Sequence, residues 1–338
     1  MNTAGGVWQG GGRRIALHEV GMRDGLQAEA AFVPTDEKIA LIDALADAGM
    51  RKIEATAFVS PQAIPALRDA SAVLRAIGRR PGVIYSALVP NAGGAERAID
   101  AGADELNLVM SASESHNLAN LKMTRAQSFE ALSGVSRIAR QARVRVNISL
   151  SCSFGCPMEG DMSEATVLDG CARFIEQFGA QGVTLCDTTG MAYPGQVFAL
   201  TCALRARWPG TELTLHFHDT RGMGLANVMA AIDAGATRFD VSLGGLGGCP
   251  YAPGASGNVC SEGIAHALEC MGYDTGIDLA LLIAAAQRLP ALVGHAIPSQ
   301  IVQAGRRLDV HPPPSDLEAI RARAHAHAHA HARPRPRA

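Results

Sequence analysis

The segment His216-Phe217-His218-Asp219 is the part of this sequence best equipped for chemistry. It ends an apolar run, 214–219, that reads as a strand. Side chains two apart on a strand share a face, so both imidazoles point one way and Phe217 the other. Two imidazoles on one face can ligate a single divalent metal. As mere packing, twin buried histidines beside an acid would be costly. A hard ion such as Mg²⁺ or Mn²⁺ also wants oxygen donors. Arg23-Asp24-Gly25 follows another apolar run, and there Asp24 offers a carboxylate while Arg23 can meet an anionic oxygen with its own charge still paired. A third segment, 244–258, is rich in glycine and reads as a mobile loop that approaches a ligand closely. On it, Cys249 is a candidate proton carrier and Asn258 offers an amide oxygen to a metal.

Residues so far apart meet only if the intervening elements bring them together. Eight short apolar runs, 15–21, 52–58, 83–89, 105–110, 145–151, 182–187, 214–219 and 238–243, alternate with longer Ala- and Leu-rich segments that read as helices. An Ala/Gly turn precedes several of the runs, as in Asp47-Ala48-Gly49-Met50 and Asp233-Ala234-Gly235-Ala236, where glycine ends a helix. Alternation of this kind implies parallel strands with right-handed crossovers. The expected class is α/β, a (β/α)8 TIM barrel, because no Gly-rich nucleotide loop follows the first run as a doubly wound sheet would favour. Chemistry then belongs at the C-terminal strand ends, and Asp24 reaches the histidines only if the first strand closes near the seventh. The expected division is a flexible N-terminus at 1–13, the barrel with a short C-terminal helical extension at 14–309, and a disordered tail at 310–338, which is Pro-rich and then alternates Ala with His. His325, His327, His329 and His331 in that tail could hold a transition metal only loosely.

Composition removes other options. With 338 residues and 48% of them hydrophobic, a large core is available; 30 basic against 32 acidic residues leave no global field for nucleic acid or an acidic membrane. No apolar stretch is long enough to span a bilayer, and Met1 to Gly12 lacks the apolar core of a secretory leader. The eight cysteines lack the spacing of a disulfide scaffold, and Cys152 with Cys156 has no second pair to complete a zinc site. The expectation is a cytoplasmic protein with reduced thiols and a small-molecule partner.

Several segments together carry a family resemblance. Val20-Gly21-Met22-Arg23-Asp24-Gly25-Leu26-Gln27, Ile53-Glu54-Ala55-Thr56-Ala57-Phe58-Val59-Ser60-Pro61, Gly155-Cys156-Pro157-Met158-Glu159-Gly160, Asp187-Thr188-Thr189-Gly190, His216-Phe217-His218-Asp219-Thr220 and the loop from Cys249 to Asn258 resemble, in order, the 3-hydroxy-3-methylglutaryl-CoA lyases. These are metal-dependent barrel enzymes, akin to the isopropylmalate and homocitrate synthases. The resemblance implies Asp24, His216, His218 and Asn258 as metal ligands for Mg²⁺ or Mn²⁺, Arg23 on the thioester oxygen, Cys249 acting from a closing loop, and Glu54 and Asp187 as acidic residues that orient or relay protons. It also implies an acyl-CoA substrate and a homo-oligomer, dimer or tetramer.

The implied reaction is retro-Claisen cleavage of a 3-hydroxyacyl-CoA. A base, His216 among the candidates, takes the C3 hydroxyl proton; Arg23 stabilises the enolate oxygen; Cys249 protonates the carbon. Met22, Ala57 and Met158 depart from the usual family text, which leaves citramalyl-CoA or a longer branched 3-hydroxyglutaryl-CoA as alternative substrates. A Claisen-condensing synthase is the other alternative, although its usual Asp-Gly-Glu-Gln is here Asp24-Gly25-Leu26-Gln27.

Overall fold

The computed structural model describes residues 6–248, 254 and 257–331, with the side chains of the last helix described through Ala326. A parallel sheet leaves unpaired backbone at its edges unless it closes, and here it closes. The strands β1 (Ala16–Glu19), β2 (Lys52–Ala57), β3 (Ile84–Val89), β4 (Glu105–Ser111), β5 (Arg145–Ser151), β6 (Gly182–Asp187), β7 (Glu212–Phe217) and β8 (Arg238–Val241) form one barrel in chain order, with β1 pairing both β8 and β2. Each strand lies where an apolar run predicts it. Strand β8 separates β1 from β7, so the segments that carry Asp24 and the two histidines are not strand neighbours; they meet above the rim instead.

Helices follow the strands: α1 (Thr35–Asp47), α2 (Ala70–Ala76), α3 (Ala92–Asp100), α4 (Glu114–Leu121) with α5 (Arg125–Ala142), α6 (Glu164–Ala172), α7 (Pro194–Arg207), α8 (Gly224–Asp233) and α9 (Ser261–Cys270). Their ends have local causes. Asn91 accepts from the Gly94 amide to start α3, and Thr124 with Gln127 forms a reciprocal capping box at α5. At the other end of α8, Gly235 takes φ +89°, a backbone state that other residues resist, and turns the chain into β8. Helices α10 (Leu279–Ala286), α11 (Leu289–Val293) and α12 (Gln300–Ala304) make the expected C-terminal extension.

Strand alternation sorts the residues in a way that matters for the site. Leu106, Leu108, Ile148, Leu150, Val183, Leu185, Leu215 and Phe239 belong to the buried hydrophobic cluster. Their strand neighbours Asn107, Asn147, Thr184 and Asp240 instead line a polar cavity inside the barrel, together with His18, Lys52, Glu54 and Ser86. The barrel is thus aliphatic outside its wall and polar within. Between wall and helices, Phe174 is fully buried with ring centroids 5.6 Å from Phe129 and 6.2 Å from Phe178.

Both terminal regions carry local structure. In the span expected to be a flexible N-terminus, Val7 is buried, the Gly10 amide donates to Met271 at 2.6 Å and the Tyr273 hydroxyl donates to the Val7 carbonyl at 2.5 Å. Residues Met1–Ala304 form one compact unit and Gly305–Ala338 a second. In the second, within the expected tail, Leu317–His331 is a helix with an Arg321–Glu318 ion pair at 2.7 Å and no buried residue among those described. Its alanines favour helix strongly. Among the described residues no helix is long and apolar enough to cross a membrane.

Phe174→Ala removes the centre of the aromatic cluster. It is expected to cost about 3–5 kcal/mol of stability, measured by guanidinium unfolding.

Candidate active site

Each site residue is placed by a short piece of backbone. Arg23 and Asp24 lie in the tight turn Gly21–Gly25 that leaves β1, where the Asp24 amide donates to Val20 at 2.7 Å. His216 is in β7, and His218 stands one residue past its end. There the chain 257–260 is laid across the rim: the Val259 amide donates to Phe217, the Asp219 amide to Gly257 and the Ser242 amide to Val259, each at 3.0 Å. His218 and Asn258 are bridge partners in that arrangement. Asp219 accepts from the Gly224 amide at 2.7 Å, at the start of α8, and is not one of the metal-capable group.

The imidazoles are aimed. His218 Nδ1 donates to the Thr188 carbonyl at 2.7 Å, which leaves Nε2 with its lone pair facing inward, buried and without a hydrogen-bond partner. His216 Nδ1 donates to Asp240 at 3.2 Å, and this sets the same tautomer. Both Nε2 atoms then face one oxygen, Asp24 Oδ2, at 4.0 Å from His216 and 3.8 Å from His218. These gaps are too long for hydrogen bonds. They suit an ion between the atoms, because two metal–ligand bonds of about 2.1 Å span at most about 4.2 Å. Asp24, His216 and His218 are a metal-capable group with all ligand atoms within 4.8 Å of one another.

Charge points the same way. Burial pushes the Asp24 carboxyl up, but the Arg23 guanidinium overrides it, aided by His218 and His216, and holds it well below the usual carboxylate range. Arg23 pairs with Asp24 directly and donates from Nε to Glu54 at 2.5 Å. With neutral imidazoles, Asp24, Glu54 and Asp240 bring up to three negative charges against one on Arg23, an excess that a divalent cation would balance. Asp240 also faces His18, at 3.6 Å. Burial lowers the proton affinity of His216, while Asp240 and Asp24 more than reverse this and leave it raised.

Glu54 and Asp187 separate into different roles. Glu54 uses both oxygens, one for Arg23 and one for Asn107 at 2.7 Å; burial still pushes its carboxyl up against those partners. Asp187 ends β6 and accepts from the Met191 and Ala192 amides at 2.7 and 3.0 Å through Oδ1, while Oδ2 is buried with no partner. Burial pushes its carboxyl up too, against those amides and the nearby imidazoles.

Asn258 arrives at the expected place by an unexpected atom. Its Nδ2 donates to Asp24 Oδ2 at 2.8 Å and to the Leu246 carbonyl at 3.0 Å. A half-turn of the amide would present the oxygen there instead. Cys249 lies outside the described residues. The Cys152 and Cys156 pair makes no metal cluster among the described residues; Cys156 instead takes a hydrogen bond from Ser113 at 3.1 Å. Of the three departures from the family text, Met22 and Ala57 enter the hydrophobic core and Met158 is exposed on a short hairpin, Gly155–Cys156 with Gly160–Asp161. Sequence reading missed Asp240 and Thr188, which orient the histidines. A signal existed for Asp240, a lone carboxylate inside the apolar run of β8.

A closed β/α barrel with a buried carboxylate, two imidazoles and a guanidinium gathered at the C-terminal ends of its strands defines a barrel enzyme with a cation-capable centre. Comparison with known proteins narrows the class. Residues 14–289 match the family model described as HMGL-like. A hydroxymethylglutaryl-CoA lyase of Bacillus subtilis is 43% identical over 291 residues, covering 86% of this chain and 97% of that protein. A 3-hydroxy-3-isohexenylglutaryl-CoA/hydroxymethylglutaryl-CoA lyase of Pseudomonas aeruginosa is 40% identical over 292 residues, covering 86% and 97%. The solved structure of an HMG-CoA lyase from Acinetobacter baumannii, in complex with coenzyme A and 3-methylmalate, is 49% identical with a TM-score of 0.85, covering 89% of this chain and 98% of that one. The chain belongs to the hydroxymethylglutaryl-CoA lyase family and is a carbon–carbon lyase.

Asp240→Asn breaks the buried pairing with His216 and His18. It leaves the buried His216 Nδ1–H with a weaker acceptor and is expected to cost about 1–3 kcal/mol, read by guanidinium unfolding.

Proposed function

We propose that this chain cleaves 3-hydroxy-3-methylglutaryl-CoA to acetyl-CoA and acetoacetate. The observation that carries the reading is the convergence of both histidine Nε2 atoms on Asp24 Oδ2 beside Arg23. Asp24, His216 and His218, with Asn258 after its amide turns, would hold a divalent cation, Mg²⁺ or Mn²⁺. When bound, that cation supplies Lewis-acid polarisation of the substrate's hydroxyl and carbonyl oxygens.

The chain's own groups do the rest. Cleavage breaks the C2–C3 bond: the C3 hydroxyl loses its proton, C3 becomes the ketone of acetoacetate, and the bonding pair passes to C2 and the thioester oxygen. Arg23 is placed to stabilise that developing negative charge, and Glu54 holds the guanidinium in orientation with both of its oxygens committed. His216 has one nitrogen facing the site, since Nδ1 is engaged by Asp240, so it cannot serve as ligand and base together. Asp187, with Oδ2 free of partners and a carboxyl that burial pushes up, is the better proton acceptor. Cys249, carried on the loop, would return a proton to C2. An acyl-CoA substrate is supported by the coenzyme A bound to the similar Acinetobacter enzyme.

Acetyl-CoA release from 3-hydroxy-3-methylglutaryl-CoA is expected to vanish in EDTA and return with Mg²⁺ or Mn²⁺. Arg23→Gln should lower kcat by about 10²–10³, and Cys249→Ser should slow turnover while leaving metal binding intact. Absence of acetyl-CoA release with either ion overturns the reading. A faster reaction with citramalyl-CoA, or with a longer branched 3-hydroxyglutaryl-CoA, moves the substrate within the same chemistry.

A further inference from the structure

One buried carboxylate close to the centre touches none of the candidate ligands. Glu19, the last residue of β1, is fully buried and collects three donors. The amides of Gly21 and Leu243 donate to its Oε1 at 2.7 and 2.8 Å, and the Ser261 hydroxyl donates to Oε2 at 2.6 Å. Those donors belong to three different segments. Gly21 opens the turn that carries Asp24; Leu243 begins the chain that leads into the Gly-rich loop; Ser261 opens α9 directly after the stretch that carries Asn258.

We propose that Glu19 is a positioning residue of the cation site, setting the separation of Asp24 and Asn258 by tying together the backbone segments that bear them. The proposal rests on the cation reading above. Its chemistry is specific: two amides on one oxygen and a hydroxyl on the other use a carboxylate as an acceptor at both ends, which neither an amide nor an apolar side chain can reproduce. The packing is equally specific. A Cβ on Gly21 would sit 2.6 Å from Glu19 Oε1, 2.9 Å from Ser242 Oγ and 3.0 Å from the Leu243 nitrogen, so the turn reaches the carboxylate only as glycine. A second acid backs the arrangement, since Glu262 accepts from the Gly244 amide at 3.0 Å in the same chain reversal. Burial, with Glu262 adding to it, pushes the Glu19 carboxyl up to about 7, against its three hydrogen bonds. A group kept at that cost is placed for what it holds.

The test is the Mn²⁺ dissociation constant, measured without substrate by the electron paramagnetic resonance signal of free Mn²⁺, on protein shown by circular dichroism to be folded. Outer partners of metal ligands typically change affinity by about 10–100-fold. Glu19→Ala is expected to weaken Mn²⁺ at least about 10-fold and Glu19→Gln less, since the amide oxygen still accepts from the two backbone donors. Phe174→Ala, destabilising but remote, should stay within about twofold of the wild type. Equal weakening by Phe174→Ala would reduce the effect to general stability and overturn the proposal, as would a folded Glu19→Ala with unchanged affinity. If Glu19→Ala does not fold, Glu19→Gln and Ser261→Ala decide: wild-type affinity in both overturns it. A wild-type chain that takes up no Mn²⁺, or an Asp24→Ala variant that binds as well as the wild type, overturns the cation reading itself and this proposal with it.

Discussion

A carboxylate kept ionised out of water sets the terms for the rest of this molecule. Asp24 is buried, which alone would protonate it, and it stays charged because Arg23 lies against it. Arg23 is itself buried and needs a second acid, which Glu54 provides; Glu54 needs a donor for its other oxygen, which Asn107 provides. Asn107 in turn accepts from Asn147 and Ser149 at 2.9 Å, and Asn147 donates to Thr184 at 3.0 Å. A single buried charge thus propagates as hydrogen bonding across β2, β4, β5 and β6. Leaving any member unpaired would cost more than the bond itself is worth.

That chain explains why the barrel is polar within and aliphatic outside. A wall of eight parallel strands must bury its outer face against helices, and Leu, Ile and Val do so. The inner face cannot be aliphatic as well, because the ionised centre at its mouth has to be satisfied from below. Orientation follows from the same need. Asp240 turns His216 and the Thr188 carbonyl turns His218, so both lone pairs face Asp24 before any ligand arrives. Preorganised donors of this kind reduce what a bound ion would otherwise spend on ordering them.

Much of this was legible residue by residue. The His-x-His spacing on a strand, the acid after the first strand and the eight apolar runs each carried their meaning locally, and the barrel, its order and the faces of His216 and His218 agree with them. Asp240 and Glu19 were less legible. Each is a lone acid in an apolar run, and period-2 alternation reports which face a residue takes, not which partner awaits it. The N-terminal glycines read as loose chain because composition does not register that Tyr273, far along the sequence, reaches back to Val7.

The amino-acid sequence by itself determined the periodicity, hence the strand and helix units, and it determined the residue types available at each strand end, hence the class of chemistry. Tertiary structure alone decided which of those residues meet. Asp24 and His216 are not on neighbouring strands, since β8 lies between β1 and β7; they approach because the turn after β1 and the chain 257–260 fold over the rim. It also decided which atom each residue presents, the Nε2 of both histidines and the Nδ2 of Asn258. The physical reason is range: propensity and alternation act over a few residues, whereas closing a barrel sets distances between segments hundreds of residues apart, and only those distances turn separate side chains into one site.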